Sequence, residues 1–160
     1  MAGTPRRHAC RVDLVPALSA AIGKLYSVRA RVLVGIDGPD ASGKTTLADH
    51  LDASLTPPVL RASIDGFHNP TEVRRPRGDL SPEGYYRDSF DHQSLVGDLL
   101  DPFAAGRAET LSRRYDWRTG AGPLAAEVPE RATLLFDGVF LIRPRAPRRL
   151  APLGPPARLP

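Results

Sequence analysis

A glycine-rich run between an apolar segment and a helix-forming segment constrains this chain more than any other feature. Residues 31–46 read Arg-Val-Leu-Val-Gly-Ile-Asp-Gly-Pro-Asp-Ala-Ser-Gly-Lys-Thr-Thr, and within them Gly38-x-x-x-x-Gly43-Lys44-Thr45 matches the phosphate-binding loop pattern without a mismatch. Glycines let such a loop fold tightly with its N–H groups pointing inward, and the following helix directs its positive end at the same phosphates. The run therefore predicts a nucleotide-binding unit of strand, loop and helix.

The residues of this loop have separable expected tasks. Lys44 can reach the outer phosphates and is a candidate catalytic residue, and the Thr45 hydroxyl is placed to hold Mg²⁺, which keeps waters and phosphate oxygens as its other ligands. We expect ATP and Mg²⁺ as cofactors. The ATP phosphates would be bound along the whole loop, which comprises Gly38, Pro39, Asp40, Ala41, Ser42, Gly43, Lys44, Thr45 and Thr46.

Length, charge and cysteine content limit the classes of protein that this chain can represent. Its 160 residues allow one domain with a sizeable core. Residues 143–160 hold five arginines and no acid, whereas residues 1–142 hold 17 basic and 18 acidic residues, so the body has no basic excess for binding nucleic acid. No apolar stretch approaches the roughly 20 residues that span a membrane. With a single cysteine, Cys10, and no signal-peptide pattern, we expect a cytoplasmic protein.

Hydrophobic periodicity predicts alternating helices and strands, which is typical of an α/β fold. Residues 69–90 are predicted to form a long loop or short helices, and residues 111–117 a short strand or an ordered loop. Helices are predicted over residues 12–27, from the loop to about 54, and over 91–100 with Asp91 as the cap. Strands are predicted over residues 31–36, 59–64 and 132–136.

Each of the three predicted strands ends in Asp-Gly, at Asp37, Asp65 and Asp137. Ligands of open parallel sheets bind beyond the carboxyl ends of the strands. We therefore expect three carboxylates around one crevice beside the phosphate-binding loop. The alternative is that Asp-Gly is simply a common turn pair.

Four motifs in order resemble the uridine kinase-like family of P-loop nucleoside kinases, which is close to the phosphoribulokinase and pantothenate kinase groups. They are GIDGPDASGKTTLA from residue 35, SIDGFH at 63–68, RRYDW at 113–117 and LLFDGVFL at 134–141. The resemblance covers roughly residues 30–142. It implies a P-loop NTPase fold of three layers, α/β/α, with a mainly parallel sheet. It also implies ATP-dependent phosphorylation of a small-molecule hydroxyl, with a nucleoside as the first expectation.

The resemblance also implies roles for particular residues. Asp65 occupies the position at which the family's aspartate accepts the proton of the substrate hydroxyl. Asp137 stands where the family usually has a glutamate, and its carboxylate is expected to support Mg²⁺. Substrate contacts are expected from Phe67 and His68, and from Tyr115 and Asp116 in the segment that resembles the family's Tyr-Asp-Phe.

Two departures from the family leave questions open. Gly120 stands about where uridine kinases have a histidine, so a nucleoside, a pantothenate-like acid and a sugar phosphate all remain candidate acceptors. Residues 143–160 are rich in Pro and Arg and read as a disordered tail after a partial kinase domain, 1–142, whose sheet would be incomplete at the C-terminus. A frameshifted end and a genuine tail are both compatible with that composition. A non-catalytic nucleotide-binding remnant is the alternative function, and the oligomeric state is undetermined.

Overall fold

A computed structural model describes residues 14–56 and 58–142. The predicted tail over residues 143–160 and the first two residues of the helix predicted over 12–27 lie outside the described residues.

Three parallel strands position the site. They are β1 (Arg31–Asp37), β2 (Val59–Ser63) and β5 (Ala132–Gly138), and β5 lies between the other two. Every residue of β5 is buried, as expected for the central strand of a covered parallel sheet. The register pairs Asp37 with Gly138 and Ser63 with Asp137, so all three strands end at the same edge.

The helices differ little from those predicted. Helix α1 spans Leu14–Val28 and α2 spans Lys44–Ser54, directly after the phosphate loop. The 69–90 region contains two short helices, α3 (Thr71–Arg74) and α4 (Pro82–Asp88), and a 3₁₀ turn, Ile64–Gly66, follows β2. The segment after Asp91 consists of α5 (His92–Ser94), a π-helical turn (Leu95–Leu100) and α6 (Asp101–Ala104).

The π-helical turn has a local cause. Pro102 has no N–H to donate to the carbonyl of Asp98, which interrupts the α-helical ladder. The hydroxyl of Thr110 donates to the Asp98 carbonyl at 2.6 Å and lies 3.2 Å from that of Leu99, so the displaced carbonyls remain paired. Asp91 caps the segment as predicted, because its carboxylate accepts from the Ser94 N–H at 2.9 Å.

Apolar side chains cover both faces of the sheet. Helices α1 and α2 pack on one face, through Ile22, Tyr26, Ala48 and Leu51. On the other face the main core forms around Phe136, Leu134, Leu99, Leu100 and Phe103. Helix, sheet and helix layers therefore confirm the three-layer α/β/α architecture predicted from the sequence.

An antiparallel pair stands apart from the main sheet. Strand β3 (Glu109–Arg113) pairs with β4 (Leu124–Glu127), with an irregularity between Leu111 and Arg113. The prediction left open whether residues 111–117 form a strand or a loop, and β4 was not predicted. Beyond β3 the chain runs back to the carboxyl edge of β2, where Tyr115 forms an isolated bridge with Phe67.

Candidate active site

The phosphate loop, residues 38–46, joins β1 to α2 and has the backbone that its glycines allow. Gly43 has φ of 80° and ends the loop in the left-handed conformation, immediately before α2 begins at Lys44. Ala41 is also left-handed, with φ of 57°. A Cβ atom at Gly38 would lie 3.0 Å from the Ser42 Oγ, so a side chain there would fill the concave side of the loop.

Lys44 lies folded over this loop. Its Nζ donates hydrogen bonds to the carbonyl oxygens of Gly38 at 3.0 Å and Pro39 at 2.8 Å. The ammonium group is therefore held at the mouth of the loop, beside backbone atoms that surround the concave side. This is the position from which a lysine can reach a bound phosphate.

Asp137 is the most enclosed carboxylate at this edge of the sheet, with a side chain only 10% exposed. Its carboxylate accepts a hydrogen bond from Ser63 Oγ at 3.3 Å and lies 3.8 Å from the Arg61 guanidinium. Burial raises the pKa of Asp137; Arg61 and the Ser63 hydrogen bond oppose the rise, and the neighbouring charges of Asp65 and Lys44 also act on the group. The predicted base, the predicted metal ligand and the loop lysine thus share one electrostatic environment.

Arg61 is a site residue that the sequence did not single out. Besides Asp137 it binds Asp49 at 2.7 Å and lies 3.9 Å from Asp52, and both of these acids belong to α2. The guanidinium therefore connects the helix after the phosphate loop to the carboxylate at the end of β5. Alternation along β2 could have indicated a side chain on this face, but no motif marks it.

Asp37 has a different task from the other two strand-end acids. Its Oδ1 accepts from the backbone N–H of Gly38 at 2.9 Å and of Leu141 at 3.2 Å, and its Oδ2 accepts from that of Ile142 at 3.2 Å. These bonds fasten the segment after β5 to the start of the phosphate loop. All three acids lie at one edge as expected, but Asp37 uses its oxygens for structure.

Asp65 lies in the 3₁₀ turn after β2 with a side chain 57% exposed, and His68 faces it. The His68 Nε2 is 3.7 Å from Asp65 Oδ1, and its Nδ1 is 3.1 Å from the carbonyl oxygen of Ser89. Because a carbonyl only accepts, the Ser89 contact favours hydrogen on Nδ1, whereas the Arg74 guanidinium, 3.5 Å from the same nitrogen, can only donate to it. Burial lowers the pKa of His68, although the Ser89 contact and Asp65 act in the opposite direction.

Phe67 and the segment containing Tyr115 contact each other next to this turn. Phe67 is fully buried in the main core, which argues for a packing role in place of the substrate contact expected from the sequence. The Gly66 carbonyl accepts from the N–H groups of Arg114 at 2.8 Å and Tyr115 at 3.0 Å. A Cβ at Gly66 would lie 3.1 Å from Arg113 Cγ, so the glycine permits the close approach of the two segments.

Asp116 uses its carboxylate mainly to fold its own turn. Its Oδ1 accepts from the backbone N–H of Arg118 at 2.9 Å and of Thr119 at 3.3 Å, and its Oδ2 lies 3.6 Å from Arg113. The bond from Arg118, with further help from Thr119 and Arg113, lowers the pKa of Asp116. The structure thus places Asp116 beside the expected substrate region but with local partners.

A cleft of about 470 Å³ opens beside the first residues of the phosphate loop. The rings of Tyr85 and Phe140 pack edge to face with their centres 5.4 Å apart, and the Tyr85 hydroxyl donates to Asp40 at 2.9 Å. Phe140 has φ of 60°, a strained conformation for a bulky residue. The cleft is lined by Asp37, Gly38, Pro39, Asp40, Tyr85, Val139, Phe140 and Ile142. No sequence pattern marks Tyr85, because the region 69–90 lacks periodicity.

The oxygen donors at this edge fit a magnesium ion better than a softer metal. Thr45 offers an exposed hydroxyl at the first turn of α2, and Asp137 offers a carboxylate at the end of the central strand. Among residues 14–56 and 58–142 no group of three His, Cys, Asp or Glu side chains could hold a metal ion. Magnesium at nucleotide sites takes one or two protein ligands and completes its shell with phosphates and water, so the residues present suit it.

A parallel sheet whose first strand leads through this loop into a helix, with acids at the neighbouring strand ends, is the P-loop kinase fold. A solved structure described as a possible uridine kinase from Bacillus stearothermophilus superposes with a TM-score of 0.64 at 25% identity, covering 80% of this chain and 74% of that one. This superposition confirms the P-loop kinase fold and the resemblance to uridine kinase-like proteins. No protein-family model matches the chain.

A curated relative of this chain is a pantothenate kinase. The pantothenate kinase of Corynebacterium diphtheriae is 33% identical over 88 residues, which are 52% of this chain and 28% of that enzyme. The chain thus spans less than a third of the length of this relative. In the part of the chain that the structure describes, no helix is long and apolar enough to cross a membrane.

Proposed function

We propose that this chain binds ATP with Mg²⁺ on its phosphate loop and transfers the terminal phosphate to a hydroxyl of a small molecule. The observation that carries the proposal is the placement of Lys44 over the phosphate loop, at the edge of the sheet where β2 and β5 lead to Asp65 and Asp137. Asp65 and Lys44 both act electrostatically on the enclosed Asp137 carboxyl, beside a loop whose backbone suits phosphate. Phosphoryl transfer needs such a set, since positioning and charge stabilisation supply most of its rate enhancement.

Each residue has a task within the proposal. The concave backbone of the phosphate loop and the Lys44 ammonium bind phosphate oxygens. Thr45 and Asp137 would hold Mg²⁺, which supplies charge neutralisation between the phosphates when it is bound. Asp65 is exposed enough to accept a proton from an entering hydroxyl.

His68 provides a second polar contact for the acceptor. In the tautomer that the Ser89 contact favours, with hydrogen on Nδ1, the neutral ring presents the Nε2 lone pair on the side of Asp65. A molecule with two neighbouring hydroxyls can donate one to Asp65 and the other to His68. The named relatives suggest which acceptors to test first, namely nucleosides and pantothenate, and both carry several hydroxyls.

Formation of ADP by the purified chain tests the proposal. Acceptor-dependent ADP formation with Mg²⁺ and ATP is expected, and Lys44→Ala should abolish it while Lys24→Ala, an exposed change on α1, should not. Asp65→Asn should lower the rate by about 10²- to 10⁴-fold with little change in ATP affinity. Asp79→Asn is its control, because Asp79 is 67% exposed and paired with Arg75.

A binding measurement distinguishes ATP binding from phosphate transfer. ATP binding that requires Lys44, without phosphate transfer to any acceptor, would leave a nucleotide-binding protein with no kinase activity. Failure of the folded chain to bind ATP at all would contradict the proposal outright.

A further inference from the structure

Two arginine side chains lie against one indole, and His68 lies between that indole and the proposed base. The guanidinium carbon of Arg74 lies 5.6 Å from the centre of the Trp117 ring, and that of Arg118 lies 5.1 Å from it. Trp117 is 42% exposed, so the group faces solvent and is open to a ligand. We call Arg74, Trp117 and Arg118 the arginine–tryptophan cluster.

The charges of this cluster are unusual because they lack acidic partners. Across residues 14–56 and 58–142, neither Arg74 nor Arg118 has a carboxylate within ion-pair distance. Arginines close to them in the chain are paired: Arg75 with Asp79 at 3.2 Å, Arg77 with Asp88 at 2.9 Å and Arg113 with Asp116 at 3.6 Å. Stacking on Trp117 orients both guanidinium groups but leaves their net charge uncompensated.

His68 connects this cluster to the reacting edge. The His68 ring is 5.8 Å from that of Trp117, and its Nδ1 is 3.5 Å from an Arg74 nitrogen. On the opposite side of the ring, Nε2 is 3.7 Å from Asp65. Burial is the main cause that lowers the pKa of His68, and the charges of Arg74 and Arg118 add to the effect.

We propose that Arg74 and Arg118 bind an anionic group of the acceptor, a carboxylate or a phosphate ester, while its hydroxyl faces Asp65. The inference rests on the proposed function and specifies its substrate class. Asp65 and Asp137 repel a negatively charged molecule, and an anion held on the far side of His68 is kept away from them. Guanidinium groups suit this task because their planar donors match carboxylate and phosphate oxygens.

Direct binding to the full chain tests the inference without depending on turnover. Calorimetry would compare two matched pairs: pantothenate with its neutral alcohol pantothenol, and ribulose 5-phosphate with ribulose. We expect one anionic member to bind about tenfold or more tightly than its neutral counterpart. The carboxylate and phosphate pairs show which anion is preferred, and Lys44→Ala shows whether a phosphate ester enters the phosphate loop instead.

Variants assign the preference to the cluster. Arg74→Gln and Arg118→Gln should each remove most of the anion preference, while Arg75→Gln, which alters a paired arginine next to Arg74, should retain it. Circular dichroism of each variant checks folding, and the salt dependence of binding should weaken with each lost arginine. Equal affinity within both pairs, no binding of either anion, or a preference that persists in both variants would overturn the inference.

Turnover distinguishes this inference from the proposed function. Phosphorylation of uridine that is indifferent to Arg74→Gln and Arg118→Gln, with no anion preference in binding, supports the kinase and overturns the anionic acceptor. Anion binding by the cluster without transfer from ATP to any acceptor supports the anion site and contradicts the kinase.

Discussion

The Tyr85 hydroxyl donates a 2.9 Å hydrogen bond to the Asp40 carboxylate, which joins helix α4 to the phosphate loop. The two residues come from segments 45 positions apart, and only the folded chain brings them together. Because the loop must hold its backbone donors in position to bind phosphate, a contact that restrains Asp40 also restrains the nucleotide site.

Loss of the Tyr85 hydroxyl should weaken nucleotide binding. Tyr85→Phe removes the donor to Asp40 and keeps the ring against Phe140, and we expect ATP to bind about fivefold less tightly, which corresponds to roughly 1 kcal/mol. Titration calorimetry with Mg²⁺ and ATP measures the change. Tyr86→Phe is the control, because its ring also lies against Phe140, at 5.1 Å. Equal affinity in both variants would show that the Asp40 contact does not restrain the loop.

The ionisation of Tyr85 should be observable by absorbance. Burial and the Asp40 contact raise the pKa of Tyr85 to about 12. Because the folded chain retains this proton more strongly than the unfolded chain, the stabilisation is present below pH 10 and is lost as the pH rises toward 12. Ultraviolet titration of the folded wild type should show a late tyrosine step that is missing from Tyr85→Phe.

We expect the Asp137 carboxylate to lower the stability of the fold while it supports phosphate transfer. Burial raises the pKa of Asp137. Keeping this carboxylate ionised near pH 7 therefore lowers the stability of the fold, and the contacts with Arg61 and Ser63 do not fully offset that cost. We expect Asp137→Asn to raise the free energy of unfolding without Mg²⁺ and to lower phosphate transfer by about 100-fold or more. The stability difference should shrink as the pH falls and the wild-type carboxyl binds its proton.

Urea unfolding at several pH values and ADP assays measure these two effects. Asp49→Asn removes the acid nearest to Arg61, at 2.7 Å, and should leave transfer intact. A lower stability of Asp137→Asn throughout the pH range would show that the Arg61 contact outweighs the cost of burial.

A methyl group at Gly138 should destabilise the end of the central strand. Its Cβ would lie 2.8 Å from Ile64 Cγ2 and 2.9 Å from Leu141 Cδ2, distances that require the backbone or both side chains to move. We expect Gly138→Ala to lower the free energy of unfolding by about 1–3 kcal/mol in a urea titration. Gly23→Ala has nothing within 4 Å of the new atom and should stabilise α1 by roughly 0.5–1 kcal/mol.

Acid should destabilise the fold partly through His68. Burial is the main cause that lowers the pKa of His68, so the folded chain binds a proton less readily than the unfolded chain. Stability is therefore complete above about pH 6.5 and falls as the pH drops below it. The stability difference between wild type and His68→Gln should narrow from pH 7.5 to pH 5.5, whereas His50→Gln, an exposed change on α2, should follow the wild type.

The parts of the fold that sequence could predict are those with a local or periodic cause. The phosphate loop and β5 follow from glycine spacing and an apolar run, and Asp91 follows from its capping position. Strand β4 was missed because its four residues, Leu-Ala-Ala-Glu, show little alternation and depend on pairing with β3. The π-helical turn required knowledge that Thr110 would lie beside the Asp98 carbonyl.

The site was predicted where a motif stands at a strand end and was missed where two distant segments meet. Lys44, Asp65 and Asp137 belong to motifs, and their proposed roles stay predictions that the variants above would test. Arg61 and Tyr85 act through partners that only folding brings close, so their sequence neighbourhoods carry no sign of them. Phe67 belongs to a motif, but the motif does not reveal that the Phe67 side chain is buried.

The strand order has a consequence for how the protein is made. Strands β1 and β2 do not pair with each other; each bonds to β5, which comes last among the described strands. The ribosome therefore synthesises the phosphate loop and Asp65 long before β5, the strand that aligns them. Pairing between strands so far apart in the sequence is slow. Until β5 emerges, the growing chain carries the phosphate loop and Asp65 but lacks Asp137 and has no assembled site.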